Sequence, residues 1–78
     1  MSNWVDVDIN CGECYALIAN FREYKTCDNY CSTIGLQCVF AAEQVQENCE
    51  IKQSYSCDFD FHTELSTSDA LCECRPCN

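Results

Sequence analysis

The chain is poor in the residues that most functions rest on. It has two glycines, one proline, one histidine and four cations (Arg22, Lys25, Lys52 and Arg75) in 78 residues. Two glycines, Gly12 and Gly35, cannot build a loop that cradles phosphate on its backbone amides. With His62 as the only histidine, a Ser-His-Asp or Cys-His arrangement has a single choice of base. Ser66, Ser68 and Asp69 lie near it, but no nucleophile-elbow or oxyanion glycine pattern accompanies them. The reading is that the chain is not an enzyme and needs no cofactor. No apolar run approaches the roughly 20 residues that span a bilayer, so membrane insertion is not expected. No Asn-x-Ser/Thr acceptor for N-glycosylation occurs.

The shortage of cations is matched by thirteen acids, for a net charge of −9. Nucleic-acid affinity comes largely from Lys and Arg on phosphates, and anionic membranes attract the same residues, so neither is an expected partner. A protein with a basic or neutral surface is the easier partner, as a receptor or through self-association.

What is abundant is cysteine: Cys11, Cys14, Cys27, Cys31, Cys38, Cys49, Cys57, Cys72, Cys74 and Cys77, about one residue in eight. A chain this short forms one domain, 1–78, and buries only about 60% of the surface its unfolded form exposes. Disulfides answer that shortage, and this density is the profile of a secreted, extracellular scaffold. An even count allows five bridges, with hundreds of possible connectivities. Met1-Ser2-Asn3 leads straight into Trp4 with no signal peptide, as expected of a mature chain or an excised domain.

The pattern along the chain predicts an α+β module: a disulfide-braced helical hairpin and a third short helix beside a small antiparallel sheet. Trp4–Ile9 alternates apolar and acidic residues, the period of a half-buried strand with Val5, Val7 and Ile9 inward and Trp4 over one end of the core. Cys14, Leu17, Ile18 and Phe21 fall at i, i+3, i+4 and i+7, the spacing of an amphipathic helix. The hairpin is read from Thr26 to Cys49. Thr26 caps its first helix, Cys27 and Cys31 share a face, and Gly35 ends it. Cys38, Ala41, Ala42, Val45 and Cys49 line its second helix. In an antiparallel helix pair, positions equidistant from the turn meet, which predicts Cys27–Cys49 and Cys31–Cys38. Residues 50–61 read as extended, and 63–68 as a polar loop in which Ser66, Thr67 or Ser68 caps one turn through Leu71. In the final stretch Cys72 and Cys74 point the same way.

Three motifs invite a chemical reading. Cys11-x-x-Cys14 follows a strand, as a redox pair would, but the chain is too short for a thioredoxin-like fold, and joining different partners is the structural expectation. The same pair with Cys72, Cys74 and Cys77 could form a zinc site, leaving five cysteines unexplained. Asp6-x-Asp8-x-Asn10 starts like a calcium loop, yet Cys11 stands where glycine belongs and Leu17 where the bidentate glutamate belongs. Asp58-x-Asp60 reads as an exposed strand face. No metal site is expected.

Surface recognition is left. Large rigid aromatics dominate binding hot spots, and Tyr30, Phe40, Tyr55, Phe59 and Phe61 are the candidate binding residues. The framework Trp4 … Cys27-x3-Cys31-x3-Gly35-x2-Cys38 … Cys72-x-Cys74 is similar to small cysteine-rich modules of extracellular mosaic proteins. The acidic, cysteine-dense, helix-bearing character also resembles secreted ciliate mating pheromones, which are shorter and all-helical. These likenesses imply a signalling ligand or a recognition or adhesion domain. The alternatives are a secreted toxin or protease inhibitor, whose reactive loop would be Thr63 to Ser68, and a reduced structural zinc module.

Overall fold

The computed structural model describes residues 4–46 and 48–77. Five strands form one antiparallel sheet: β1 (Val7–Gly12), β2 (Tyr15–Ile18), β3 (Gln37–Gln44), β4 (Ile51–Tyr55) and β5 (Ala70–Arg75), in the order β1-β2-β5-β3-β4. The described residues contain two helices, α1 (Cys27–Thr33) and α2 (Phe61–Leu65). The class is therefore the expected one, small, disulfide-rich and α+β, while the helical hairpin and the third helix are not found.

Both missing helices are strands, and for the same reason. Ala16, Leu17 and Ile18 are consecutive and fully buried, as are Ala41 and Ala42. Where a strand is covered on both faces its residues are apolar on both, and the buried runs at 16–18 and 41–42 imitate a helix pattern. Here one face carries the main core, with Ala16, Ile18, Ala41, Ala70, Cys72 and Cys74, and the other a smaller cluster around Leu17, Ala42 and Leu71.

Of the predicted hairpin only α1 survives, with the ends expected. Thr26 Oγ1 accepts from the Asn29 amide at 3.0 Å, and Gly35 holds φ +76° just past the helix. That left-handed region favours glycine. The chain then enters β3 rather than a second helix.

The bridges hold α1 to the sheet. Cys27 pairs with Cys72 and Cys31 with Cys74, each at a Cα–Cα distance of 5.5 Å. Four residues of helix rise about 6 Å and two residues of strand about 6.7 Å, so the two rungs match when α1 runs along β5. Such a close approach needs small residues beneath the helix. Cys72 has Ala16 opposite it on β2 and Ala41 opposite it on β3. The remaining bridges are Cys11–Cys49, Cys14–Cys77 and Cys38–Cys57, so all ten cysteines are paired. The predicted Cys27–Cys49 and Cys31–Cys38 pairs are corrected by this pattern, because the segment from 38 to 44 leaves α1 as a strand and carries Cys49 away towards β1.

The terminal segments also differ from expectation. Val5 is 45% and Val7 38% exposed, while Ile9 packs on the smaller cluster. Asp6 at φ 55° and the register shifts in β1 break the simple alternation. Residues 61–65 form α2, capped by Asp60 and closed by Ser66 at φ 53°, so most of the predicted 63–68 loop is helix and its end. Cys72 and Cys74 do point to the same side.

Candidate recognition surface

Alanines on the sheet leave volume that must be filled from elsewhere, and aromatic rings fill it. Trp4 meets Tyr30, Tyr30 meets Tyr24, Tyr24 meets Phe21, and Phe21 meets Phe61, with ring centroids 5.0–6.1 Å apart. Phe61 in turn receives Tyr55 and Phe59 edge-on at 5.6 and 5.1 Å. The series begins near the chain's start and surfaces beside β4.

This geometry sorts the five candidate binding residues. Tyr30 and Phe61 are fully buried, so the expectation that they present contact surface is corrected: they are core residues. The Tyr30 hydroxyl donates to the Val5 carbonyl at 2.6 Å, and burial pushes its pKa up to about 12. The Tyr24 hydroxyl donates to the Asp6 carboxylate, and burial with that bond pushes it up to about 12 as well. Together with Trp4 these contacts tie residues 4–6 across the core, a use of Asp6 that the calcium-loop pattern did not foresee.

Phe40 lies on the opposite face, edge-on to Tyr15 at 5.9 Å, and both cover the cluster of Leu17, Ala42 and Leu71. Glu73 is opposite both Tyr15 and Phe40 in the ladders. Burial, then Glu73, raises the Tyr15 pKa. Among the described residues, the Tyr15 hydroxyl and Gln44 Oε1 are buried without a hydrogen-bond partner.

Tyr55 and Phe59 remain together at the surface. Their rings stack at 4.0 Å and 14°, each half-buried, over the fully buried Phe61. Asp58 and Asp60 flank Phe59 in the chain. Ser56 donates to Asp58 at 2.6 Å and Phe59 N–H to Ser56 C=O at 3.1 Å, fixing the turn that sets Phe59 on Tyr55. Asp60 accepts from the backbone and side chain of Thr63, and the backbone bond chiefly holds its carboxyl below the usual range.

A shallow groove lies next to this turn, lined by Asp28, Asn29, Ser32, Leu36, Gln37 and Cys38. The Asp28 amide donates to the Cys57 carbonyl at 2.9 Å, which joins the start of α1 to the same turn. Asp28, Cys38 and Cys57 also form the one gathering of three metal-ligand side chains among the described residues. Both sulfurs are in the Cys38–Cys57 bridge and present no thiolate. The cysteines considered for zinc are likewise bridged, Cys11 to Cys49 and Cys14 to Cys77, so the Cys-x-x-Cys pair does join different partners. His62 is exposed on α2. Sequence reasoning missed the groove, because nothing in the spacing of residues 28–38 shows that β3 turns back along α1.

Fold and bridges define a small disulfide-rich α+β protein, a class whose many disulfides are typical of extracellular proteins. Comparison with family models, with curated proteins and with solved structures finds no match to this chain. No helix among the described residues is long and apolar enough to cross a membrane.

Proposed function

We propose that the chain is a secreted recognition module that binds a protein through the surface made by Tyr55, Phe59, the Ser56–Asp60 turn and the adjoining groove. It acts as a signalling ligand or an adhesion domain and has no catalytic centre. The stacked Tyr55–Phe59 pair carries the reading. It is a large rigid apolar area held half-exposed on a buried phenylalanine, with carboxylates at its border, which is how a protein hot spot with a charged rim is built. The net charge of −9 favours a partner with a basic or neutral surface.

The test is to label the oxidised chain and screen it against an array of extracellular protein domains, with Phe59→Ser alongside. Partners that bind the parent chain and lose at least about tenfold in affinity to Phe59→Ser support the reading. An array whose bound partners are all indifferent to Phe59→Ser, or with no bound partner at all, refutes it.

A further inference from the structure

The two edges of the sheet are not equivalent. β1 is shifted in register at two places, between Val7 and Ile9 and between Asn10 and Gly12, and bulges of this kind spoil an edge for pairing. β4 has one shift, near its start, and then three regular pairs: Glu43 with Gln53, Ala42 with Ser54, and Ala41 with Tyr55. Four of its five residues are exposed and the fifth, Tyr55, is half-buried. Among the described residues, no group outside β3 hydrogen-bonds to the backbone of residues 51–55. Among the described residues, the outward N–H and C=O groups of β4 therefore form an open ladder.

We infer that β4 receives an extended segment of the partner as a sixth strand, and that this segment alternates cationic and β-branched residues. Strand addition takes its affinity from main-chain bonds and its specificity from alternate side chains. On the side of Tyr55, an incoming residue meets the Tyr55–Phe59 stack with Asp58 near it, a setting for Lys or Arg over an aromatic face. On the other side it passes Ile51, 48% exposed and uncovered. A second copy of the chain fits poorly, because each copy brings a charge of −9 and its own Lys52, an edge lysine of the kind that deters self-pairing. The inference rests on the recognition reading above and adds the partner's conformation and chemistry to it.

The probe is an eight-residue peptide alternating Lys and Val, compared with the same sequence in alternating L and D residues, which when extended turns every side chain to one face and loses the alternation. Amide exchange is followed by NMR on the oxidised chain. With the L-peptide at about a hundred times its Kd, the outward amides within 51–55 are expected to slow about a hundredfold, and the mixed-chirality peptide to leave them unchanged. Lys52→Glu strengthens binding, and added salt weakens it. Protection confined to residues 28–38, equal effects of both peptides, absence of binding, or a dimer of the chain by sedimentation that buries β4 each overturns strand addition. The array screen judges the recognition reading separately, since a partner lost with Phe59→Ser but docked without protecting β4 upholds that reading while the strand fails.

Discussion

Replacing Tyr30 discriminates between a core and a surface role for the helix aromatics. The ring is fully buried, edge-on to Trp4 at 5.9 Å and to Tyr24 at 5.0 Å, and its hydroxyl reaches the Val5 carbonyl at 2.6 Å. Truncation to alanine removes a buried ring and leaves a cavity that the two bridges beside it prevent from closing, at about 3–5 kcal/mol. In a domain of this size each kcal/mol moves Tm by about 4–8 °C, so Tyr30→Ala is expected to lower it by at least about 12 °C. Tyr30→Phe keeps the ring and loses one bond, whose acceptor belongs to an exposed residue that water can reach, at about 0.5–1.5 kcal/mol. The same hydroxyl predicts an alkaline signature. Its folded pKa of about 12 lies above the ordinary value of 10.0, so its contribution is complete below pH 10 and lost as pH rises from there towards 12. Tyr30→Phe removes that share of the alkaline loss. Calorimetry across pH, with phenolate absorbance to follow titration, measures both effects. A Tyr30→Ala chain with the parent Tm, or Tyr30 ionising at the ordinary value of 10.0, refutes the placement of Tyr30 in the core.

Other perturbations test the remaining supports. Thr26→Ala removes the α1 cap and is expected to cost about 1 kcal/mol in denaturant unfolding. Gly35→Ala meets no atom within 4 Å, so its cost is the left-handed backbone alone, about 1–2 kcal/mol. Replacing both Cys27 and Cys72 with alanine is expected to cost about 2–5 kcal/mol while Cys31–Cys74 keeps α1 on β5, visible as retained helical circular dichroism at a lower Tm. The lowered Asp60 pKa means that the α2 cap persists above the ordinary carboxyl range and fails as pH falls through its own lower value; amide shifts of Thr63 across an acid titration report it.

The parts of the fold legible in the sequence were those fixed by local chemistry. Thr26 and Gly35 delimit α1 because capping and the left-handed turn are decided within a few residues. Cys72 and Cys74 share a face because strand period is strict. The strands β2 and β3 were illegible because the burial of 16–18 and of 41–42 on both faces comes from the sheet's position between two clusters, which no local period records. Bridge pairing failed with them, since the partner of Cys31 depends on where β5 runs. The candidate surface was half legible. Phe59 and Tyr55 stand out as aromatics in a polar, acidic stretch, but nothing there distinguishes them from Phe61, which is buried between Phe21 and the pair.

The disulfide map is the sharpest test of whether α1 is bolted onto β5. The oxidised chain should take no alkylating reagent and gain about ten mass units on reduction, as five bridges require. Proteolysis without reduction should then yield a fragment linking the Cys27–Cys31 segment to the Cys72–Cys74 segment. Free thiols, or a fragment joining Cys27 to Cys49, would contradict the bolting of α1 onto β5, and with it the sheet whose edge and aromatic pair carry the proposed recognition.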